Sequence, residues 1–145
     1  MTAIETSTVI NRPVGEVFGF ATDIGHLAEW AGPVTEARQT SDGPVGVGST
    51  QARVTQLLGR RIESNYEVTE YQPTSRYSAK TTSGPVPIEE HLSFAAAEGG
   101  TRVNLTAEVE ATGFFKLAAP ILTRIIQRQV ENDVGTLKDL LEAEM

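Results

Sequence analysis

The chain has 145 residues, of which 39% are hydrophobic and 21% charged, proportions that are ordinary for a soluble globular protein. It has no cysteine, which excludes disulfides, thiolate nucleophiles and cysteine-ligated metal sites. The net charge of −7 argues against general nucleic-acid binding, because phosphate contacts require clustered lysine and arginine. The length fits a single domain over residues 1–145. We find neither a secretory signal nor a membrane span in the pattern, and therefore expect a cytoplasmic protein without stable membrane insertion.

The first thirty residues predict a strand followed by two short helices. Residues 3–11 alternate as a strand does, and Pro13 favours the first turn of a helix that Asn11 could cap. Apolar residues at spacings of three and four continue this helix. Asp23 is expected to cap the second helix, whose inward face ends at Trp30. We interpret Asp23 and Trp30 as architectural residues.

The middle of the chain predicts a series of strands separated by turn signals rich in glycine and proline. The strands are expected over residues 34–40, 48–58, 60–72, 75–82, 86–97 and 101–112. Their spacing suits consecutive antiparallel hairpins without helical crossovers.

The C-terminal segment over residues 116–142 predicts one long amphipathic helix. Its apolar stripe has spacings of three and four and consists of Leu122, Ile126, Val130, Val134, Leu137 and Leu141. Pro120 falls near the first turn, where a missing N–H is tolerated.

These elements predict an α+β fold in the order β-α-α-β6-α, with a strongly curved seven-stranded antiparallel sheet around the long C-terminal helix. Aromatic residues are scarce, at 6%, and the strands are rich in alanine, serine and threonine. Small side chains leave the space between sheet and helix incompletely filled, which favours a cavity there. Tighter packing of the helix on the sheet is the alternative.

Several motifs along the chain resemble those of one protein family. They are Pro13 to Phe18 with Asp23 and Trp30, Val45 to Gly48, Val68 to Pro73, Gly100 to Val103, and Leu137 to Glu142. On these motifs the chain resembles the START-like, or SRPBCC, superfamily, and within it the small bacterial polyketide cyclase/dehydrase proteins. The resemblance covers essentially the whole chain.

This resemblance implies a helix-grip fold and leaves the activity open. Members of the superfamily include carriers of lipids and other hydrophobic ligands, hormone receptors, aromatase/cyclases and quinone-associated proteins. Each motif also has a structural explanation, and a fold shared by so many activities does not name one of them.

Glu90 is the most informative candidate for a functional side chain. It shares a strand face with Ile88, Leu92 and Phe94, which would direct its carboxylate into the cavity. Burial there would raise its pKa unless a cation paired with it, and Arg53 is a conceivable partner. Glu90 could then anchor a ligand or act as a general acid or base. Alternatively, it lies at the rim or is turned outward by a bulge.

Two tyrosines are further candidates for the polar part of the cavity wall. Tyr66 shares a face with Ile62 and Val68, and Tyr77 shares one with Ala79. Each hydroxyl could meet a ligand while the ring lines the wall, although a purely structural role in the core is the alternative. Val103 and Leu105 are expected to line the cavity from the last strand. The set matches no recognised catalytic arrangement, so Glu90, Tyr66 and Tyr77 are only weak catalytic candidates.

Residues 114–122 are apolar on nearly every face of the helix that they start, which is unusual for a solvated helix end. We expect Phe114, Phe115, Ile121 and Ile125 to contribute to the cavity, with the segment acting as a lid or packing surface. Contact with a second subunit or with a membrane surface is the alternative.

The two histidines do not predict a metal site. His26 is expected in a solvated helical turn, and His91 alternates with Glu90 and therefore points away from the cavity. They are far apart in the sequence, without the spacing of a metal-binding motif. No phosphate-binding loop or nucleophile elbow is present, so we expect no metal and no cofactor.

Three functional hypotheses follow. The first is a binding protein that encloses a hydrophobic small molecule, of lipid, polyketide or isoprenoid type, between the sheet and the C-terminal helix. The second is a polyketide cyclase or dehydratase that uses polar residues of the same cavity. The third and weakest is a protein-interaction module that docks through its apolar helix start. Either a monomer or a homodimer fits the sequence, and no nucleic-acid partner is expected.

Overall fold

The structure is a computed structural model that describes residues 2–57, 59–110, 114–117 and 119–143. In chain order, the elements are β1 (Thr2–Ile10), α1 (Val14–Thr22), a 3₁₀ helix (Ile24–His26), α2 (Leu27–Trp30), β2 (Val34–Gln39), β3 (Thr50–Leu57), β4 (Arg60–Gln72), β5 (Arg76–Ser83), β6 (Ile88–Ala97), β7 (Gly100–Val109), α3 (Phe114–Leu117) and α4 (Ala119–Ala143). No described helix is both long enough and apolar enough to cross a membrane.

The seven strands form one antiparallel sheet in the order β1-β7-β6-β5-β4-β3-β2. Strands β2 to β7 therefore form a meander of neighbouring hairpins, and β1 closes the sheet at the far edge by pairing with β7. The register between β4 and β5 shifts twice, between Asn65 and Tyr66 and between Val68 and Glu70. Such irregularities bend a strand, which suits a sheet that curls around a helix. The predicted α+β helix-grip architecture is confirmed.

Alternation along the strands directs one face of the sheet toward α4. In β7 every second residue from Thr101 to Val109 is buried, as the sequence pattern predicts. The opposing stripe of α4 contributes Leu122, Val134, Leu137 and Leu141 as buried side chains, with Ile126 and Val130 partly buried. The hydrophobic core thus lies between the concave face of the sheet and α4.

The C-terminal end of α4 is attached to the end of β1. Lys138 Nζ donates to the carbonyl oxygen of Val9 at 2.6 Å and forms an ion pair with Glu142 at 2.7 Å. Glu142 Oε2 also accepts a hydrogen bond from the backbone N–H of Asn11 at 2.9 Å. The prediction that Asn11 caps α1 is wrong: Pro13 is the N-cap residue and makes no side-chain capping bond.

The break between the first two helical segments follows the prediction for Asp23. Its Oδ1 accepts a hydrogen bond from the N–H of Gly25 at 2.9 Å and so caps the 3₁₀ helix. The chain then turns into α2, where Leu27 and Trp30 are buried. Because α2 contacts both β2 and α4, these two side chains enter the space between sheet and helix.

The predicted single helix over 116–142 begins earlier in the structure and is described in two parts. Phe114–Leu117 forms α3, α4 starts at Ala119, and residue 118 lies outside the described part. Pro120 occupies the first turn of α4, where its missing N–H interrupts no helical hydrogen bond.

Candidate functional site

A cavity of about 230 Å³ lies between the concave face of the sheet, α2 and α4. Its apolar lining residues are Leu27, Trp30, Ala31, Pro33, Val34, Leu57, Tyr66, Ile88, Leu105, Ala107, Val109, Ile125, Ile126 and Val130. Its polar lining residues are Arg53, Thr55, Gln56, Glu90, Gln129 and Asp133. An apolar wall with a few fixed polar groups is typical of small-molecule sites, although this cavity is slightly below their usual volume of roughly 300–1,000 Å³.

A second, smaller cavity of about 30 Å³ lies beside the first, beneath the end of α1 and the start of α2. Both cavities are lined by Leu27, Trp30, Arg53, Glu90 and Leu105. The Arg53 and Glu90 side chains therefore border both spaces. A molecule in either cavity would meet this pair.

Four adjacent strands each contribute one polar-tipped side chain to this region: Arg53 from β3, Tyr66 from β4, Tyr77 from β5 and Glu90 from β6. Arg53 Nη2 donates to Glu90 Oε1 at 2.6 Å and to Gln51 Oε1 at 2.9 Å. The guanidinium carbon also lies 3.9 Å from the centre of the Tyr66 ring, a cation–π contact. Arg53 is thus held from three directions.

The charge of Arg53 persists in spite of its burial. Only 5% of the residue is exposed, and this burial lowers its pKa. The charge of Glu90 acts in the opposite direction, together with its hydrogen bond, and the net effect is a raised pKa for Arg53. The site therefore contains a permanent cation whose counter-charge is a partly exposed carboxylate.

Both tyrosines are protonated at neutral pH. Burial raises the pKa of Tyr66 to about 12, although the nearby Arg53 charge lowers it in part. Burial also raises the pKa of Tyr77, whose hydroxyl accepts a hydrogen bond from Gln51 Nε2 at 2.7 Å. The two phenols can donate or accept hydrogen bonds, but neither can serve as a general base near pH 7.

Trp30, the single tryptophan of the chain, lines both cavities and is 5% exposed. Its indole Nε1 is buried and has no hydrogen-bond partner among the described residues. A buried donor without a partner costs roughly 1–3 kcal/mol of stability, and a hydrogen bond to a suitable acceptor would recover part of this free energy. Trp30, which the sequence predicts as an architectural residue, thus also lines both cavities with an unpaired donor among the described residues.

Asp133 connects α4 to the turn after α2 at the edge of the larger cavity. Its Oδ1 accepts hydrogen bonds from the backbone N–H of Gly32 at 2.9 Å and from Gln129 Nε2 at 2.7 Å. Burial raises the pKa of Asp133, and these two hydrogen bonds counteract the effect in part. This contact therefore links α4 to the turn after α2, and both helices border the larger cavity.

Comparison with known proteins identifies the relatives of this fold. The family model described as "Polyketide cyclase / dehydrase and lipid transport" matches residues 1–142. The chain belongs to this family. No curated protein is significantly similar to it in sequence. The family match confirms the predicted resemblance to the polyketide cyclase/dehydrase proteins.

Solved structures of low sequence identity share the fold of this family member. A protein of Thermus thermophilus has a TM-score of 0.85 at 21% identity, with 99% of each chain covered. The Zhui aromatase/cyclase of Streptomyces sp. R1128 has a TM-score of 0.81 at 14% identity, covering 97% of this chain and 93% of its own. A START superfamily protein of Mycobacterium smegmatis also has a TM-score of 0.81, at 11% identity, with 99% of each chain covered.

In this polyketide cyclase/dehydrase family member, most of the predicted site residues lie close together. Six of them line the larger cavity: Arg53, Tyr66, Ile88, Glu90, Leu105 and Ile125. Tyr77 and Leu92 line the smaller cavity, together with Arg53, Glu90 and Leu105. Four others are buried in the adjoining core and do not line either described cavity: Ile62, Val68, Phe94 and Val103.

The residues predicted from the apolar helix start do not all reach the cavity. Ile121 is 62% exposed and lies on the outer side of α4, because it precedes Leu122 by one position and is rotated away from the buried stripe. The side chains of Phe114 and Phe115 lie outside the described part of the structure.

Several wall residues are absent from the sequence prediction. Ala107 and Val109 continue the alternation of Leu105, so the strand pattern indicated that they lie on the same face as Leu105. Gln51 lines neither described cavity, but it bonds Arg53 and Tyr77 and likewise shares a face with Arg53, two residues away. Asp133 had no comparable signal, because its role depends on the approach of α2 to α4.

Proposed function

We propose that this protein binds a largely apolar small molecule, of lipid, polyketide or isoprenoid type, in the cavity between the sheet and α4. One observation carries the proposal: the cavity of about 230 Å³ has mainly apolar walls and contains a fixed ion pair, Arg53 with Glu90. An apolar body would bury its surface against the walls of β6, β7 and α4. Each methylene group removed from water would contribute about 0.8 kcal/mol.

The polar groups would orient the ligand rather than supply most of the affinity. The Arg53 guanidinium offers hydrogen-bond donors to the larger cavity, and Trp30 Nε1 offers a buried donor without a protein partner among the described residues. The Tyr77 hydroxyl offers a further donor in the smaller cavity beside it. A carbonyl, hydroxyl or carboxylate on an otherwise apolar molecule would suit these donors. The description of the family, which includes lipid transport and polyketide cyclases, supports the same class of ligand.

A fluorescent apolar dye, 1-N-phenylnaphthylamine, tests whether the cavity takes such a molecule. Ala107→Phe would fill the cavity from β7, and Thr106→Phe places the same ring on the opposite face of that strand. We expect Ala107→Phe to weaken dye binding roughly tenfold or more, because an inserted ring removes the free volume. Thr106→Phe should leave it unchanged. Equal affinity in both variants would contradict the proposal.

Two further measurements help to interpret the dye-binding result. Circular dichroism shows whether the Ala107→Phe variant still folds. If it does not fold, Val130→Trp can fill the same cavity from the α4 side. Native mass spectrometry of protein purified from its natural source would reveal the mass of a co-purifying ligand. Failure of the dye and absence of any bound mass would together refute ligand binding in this cavity.

A second candidate function is a polyketide cyclase or dehydratase, favoured by the convergence of Arg53, Tyr77 and Glu90 and by the similarity of the fold to an aromatase/cyclase. In such a reaction Arg53 would stabilise an enolate oxygen and Glu90 would accept a proton from the carbon between two carbonyls. The enolate carbon would attack a second carbonyl, whose oxygen would take the proton back from Glu90 and become a hydroxyl group. Glu90 would then remove the second proton of the same carbon and deliver it to the departing hydroxyl group, which leaves as water. Tyr77, which is protonated at neutral pH, would serve as a hydrogen-bond donor.

Turnover separates the two candidates. Incubation of the protein with a short poly-β-ketone thioester should yield a cyclised, dehydrated product if it is an enzyme, and Glu90→Gln should abolish that product while retaining ligand binding. If wild-type protein binds the thioester and returns it unchanged at the uncatalysed rate, the binding function stands and the enzymatic one fails.

A further inference from the structure

Three potential metal ligands converge on the face of the sheet opposite the cavity. Glu89 and His91 lie two residues apart on β6 and so share a face, and Glu108 on β7 is the direct cross-strand partner of Glu89. His91 Nε2 lies 3.6 Å from Glu89 Oε1 and 4.0 Å from Glu108 Oε2. One ligand atom from each residue lies within 4.8 Å of the other two.

These separations approach those of a bound ion. Histidine nitrogen and carboxylate oxygen lie about 2.0–2.2 Å from Zn²⁺, so two ligands of one ion are at most about 4.4 Å apart. Small side-chain rotations would therefore bring the three atoms onto one ion. The paired strands β6 and β7 fix the backbone positions from which the side chains extend.

The second nitrogen of His91 is held by a residue outside this cluster. Ser78, which is 2% exposed, donates its hydroxyl hydrogen to Glu70 Oε1 at 3.1 Å. With that hydrogen used, Ser78 Oγ must accept from His91 Nδ1, 2.8 Å away. The neutral imidazole then carries its proton on Nδ1 and presents the lone pair of Nε2 to the two carboxylates. Metal-binding histidines are oriented in this way by an outer hydrogen-bond partner.

The charges around Nε2 are unbalanced without a cation. Glu89 and Glu108 are directly opposite on neighbouring strands, an arrangement in which like charges repel. Lys80 is the cross-strand partner of Glu89 on β5, yet it forms no ion pair within 4.0 Å among the described residues. We propose that Glu89, His91 and Glu108 bind a divalent transition-metal ion of the Zn²⁺ class at a site separate from the ligand cavity.

His26 provides a matched comparison within the same chain. It also lies between two carboxylates, but Glu29 contacts its Nδ1 and Asp23 lies 3.6 Å from its Nε2. Those carboxylates approach opposite sides of the ring, so one ion cannot take both together with a single ring nitrogen. At His91 both carboxylates face the same nitrogen, which is the arrangement that a metal requires.

The sequence alone predicts no metal here, because Glu89 and His91 form no recognised spacing by themselves. Glu108 joins them only through the pairing of β6 with β7. The site also depends on Ser78 and Glu70, which the meander brings alongside from β5 and β4.

Calorimetric titration of the untagged, EDTA-treated protein with ZnCl₂ tests the proposal. We expect saturable binding of one ion, at least roughly tenfold weaker in His91→Ala and Glu108→Gln. Ser78→Ala should weaken it by about tenfold through loss of the orienting bond. His26→Ala should leave it unchanged, and MgCl₂ should compete poorly, because Mg²⁺ prefers oxygen ligands.

Nitrogen-15 spectra of the imidazole groups supply a readout that does not depend on affinity. Zn²⁺ should shift the Nε2 resonance of His91 and leave both nitrogens of His26 in place. Absence of saturable binding, equal loss of affinity in His26→Ala, or unchanged affinity in a folded His91→Ala variant would each overturn the proposal. Because the site lies outside the cavity, Ala107→Phe should not alter these results, whatever becomes of the proposed ligand-binding function.

Discussion

Arg53 on β3 and Glu90 on β6 meet at 2.6 Å across two intervening strands. Between them, β4 contributes Tyr66, whose ring lies beneath the guanidinium. The next strand, β5, contributes Tyr77, which lines the smaller cavity beside it. A long side chain can bridge four strands in this way because the sheet is concave on this face. The ion pair therefore joins two non-neighbouring strands across this face and forms the polar side of the cavity.

Breaking this pair from one side should destabilise the protein. Removing one member of a buried ion pair typically costs about 3–5 kcal/mol, because the other charge remains buried and unpaired. The Glu90 side chain is 26% exposed, so water partly screens its attraction to Arg53, and we expect a smaller loss, about 2–3 kcal/mol of unfolding free energy, for Glu90→Leu. Urea denaturation, monitored by circular dichroism, measures this free energy.

The double variant Arg53→Met/Glu90→Leu serves as the control for this prediction. It replaces both charges with apolar groups and leaves no unpaired ion, so it should lose less than the sum of the two single variants. Strict additivity of the three free energies would show that the two residues do not stabilise each other.

Trp30 should report ligand binding directly. It is the single tryptophan and lines both cavities, so a molecule entering them should change the protein's tryptophan emission. If Nε1 donates to the ligand, Trp30→Phe should weaken binding of 2-acetylnaphthalene roughly two- to tenfold. The matched hydrocarbon 2-isopropylnaphthalene has no acceptor and should be affected little. Equal losses for both compounds would mean that Trp30 contributes ring packing and no hydrogen bond.

The fold was predictable because each element carries its own periodicity. The alternation of β7 and the apolar stripe of α4 require only local sequence, and both occur in the structure where expected. Asn11 was misassigned as a cap because any asparagine before a helix resembles one. Its actual contact, the Glu142 carboxylate, lies at the other end of the chain.

The candidate site was predictable only as far as alternation reaches. Glu90 and Arg53 could be placed on the inner face of their strands, and the structure brings them into contact. The contributions of Trp30 and Asp133 depend on how α2 approaches α4, which no local pattern encodes. Ile121 was misplaced for a related reason: in a segment that is apolar all round, the sequence does not show which side faces the sheet.

Asp133 should give the stability a measurable pH dependence. Burial raises its pKa in the native state above the ordinary 3.8, so the native protein holds the proton more strongly than the unfolded chain. Its contribution to stability is then fully present below pH 3.8 and is lost as the pH rises through the native pKa. Asp133→Asn can still accept the hydrogen bonds from Gly32 and Gln129 but cannot ionise.

The difference in unfolding free energy between Asp133→Asn and wild type isolates this residue from all other titrating groups. It should increase in favour of the variant as the pH rises from 3.5 toward 7 and then level off. Urea titrations at half-unit pH intervals measure it. A difference that falls with pH would mean that the hydrogen bonds outweigh burial and that the pKa is lowered.

Gly100 should tolerate no side chain, because β7 begins against the end of β1. A Cβ atom at this position would lie 2.2 Å from the carbonyl oxygen of Ile10 and 3.0 Å from the Cα atom of Asn11, both of them backbone atoms. To relieve the contact, β1 and β7 would have to separate at the pair Ile10 and Thr101. We expect Gly100→Ala to lose about 2–3 kcal/mol of unfolding free energy, as overpacked sites do.

Gly19 is the matched control for this substitution. It is exposed on α1, and an added Cβ would meet nothing within 4 Å. Gly19→Ala should therefore stabilise the protein by up to about 1 kcal/mol through helix propensity. Urea denaturation measures the change in unfolding free energy for both variants. A loss in Gly100→Ala together with a gain in Gly19→Ala would show that the destabilisation arises from the contact between β1 and β7. A neutral Gly100→Ala would instead show that the two strands can move apart at little cost.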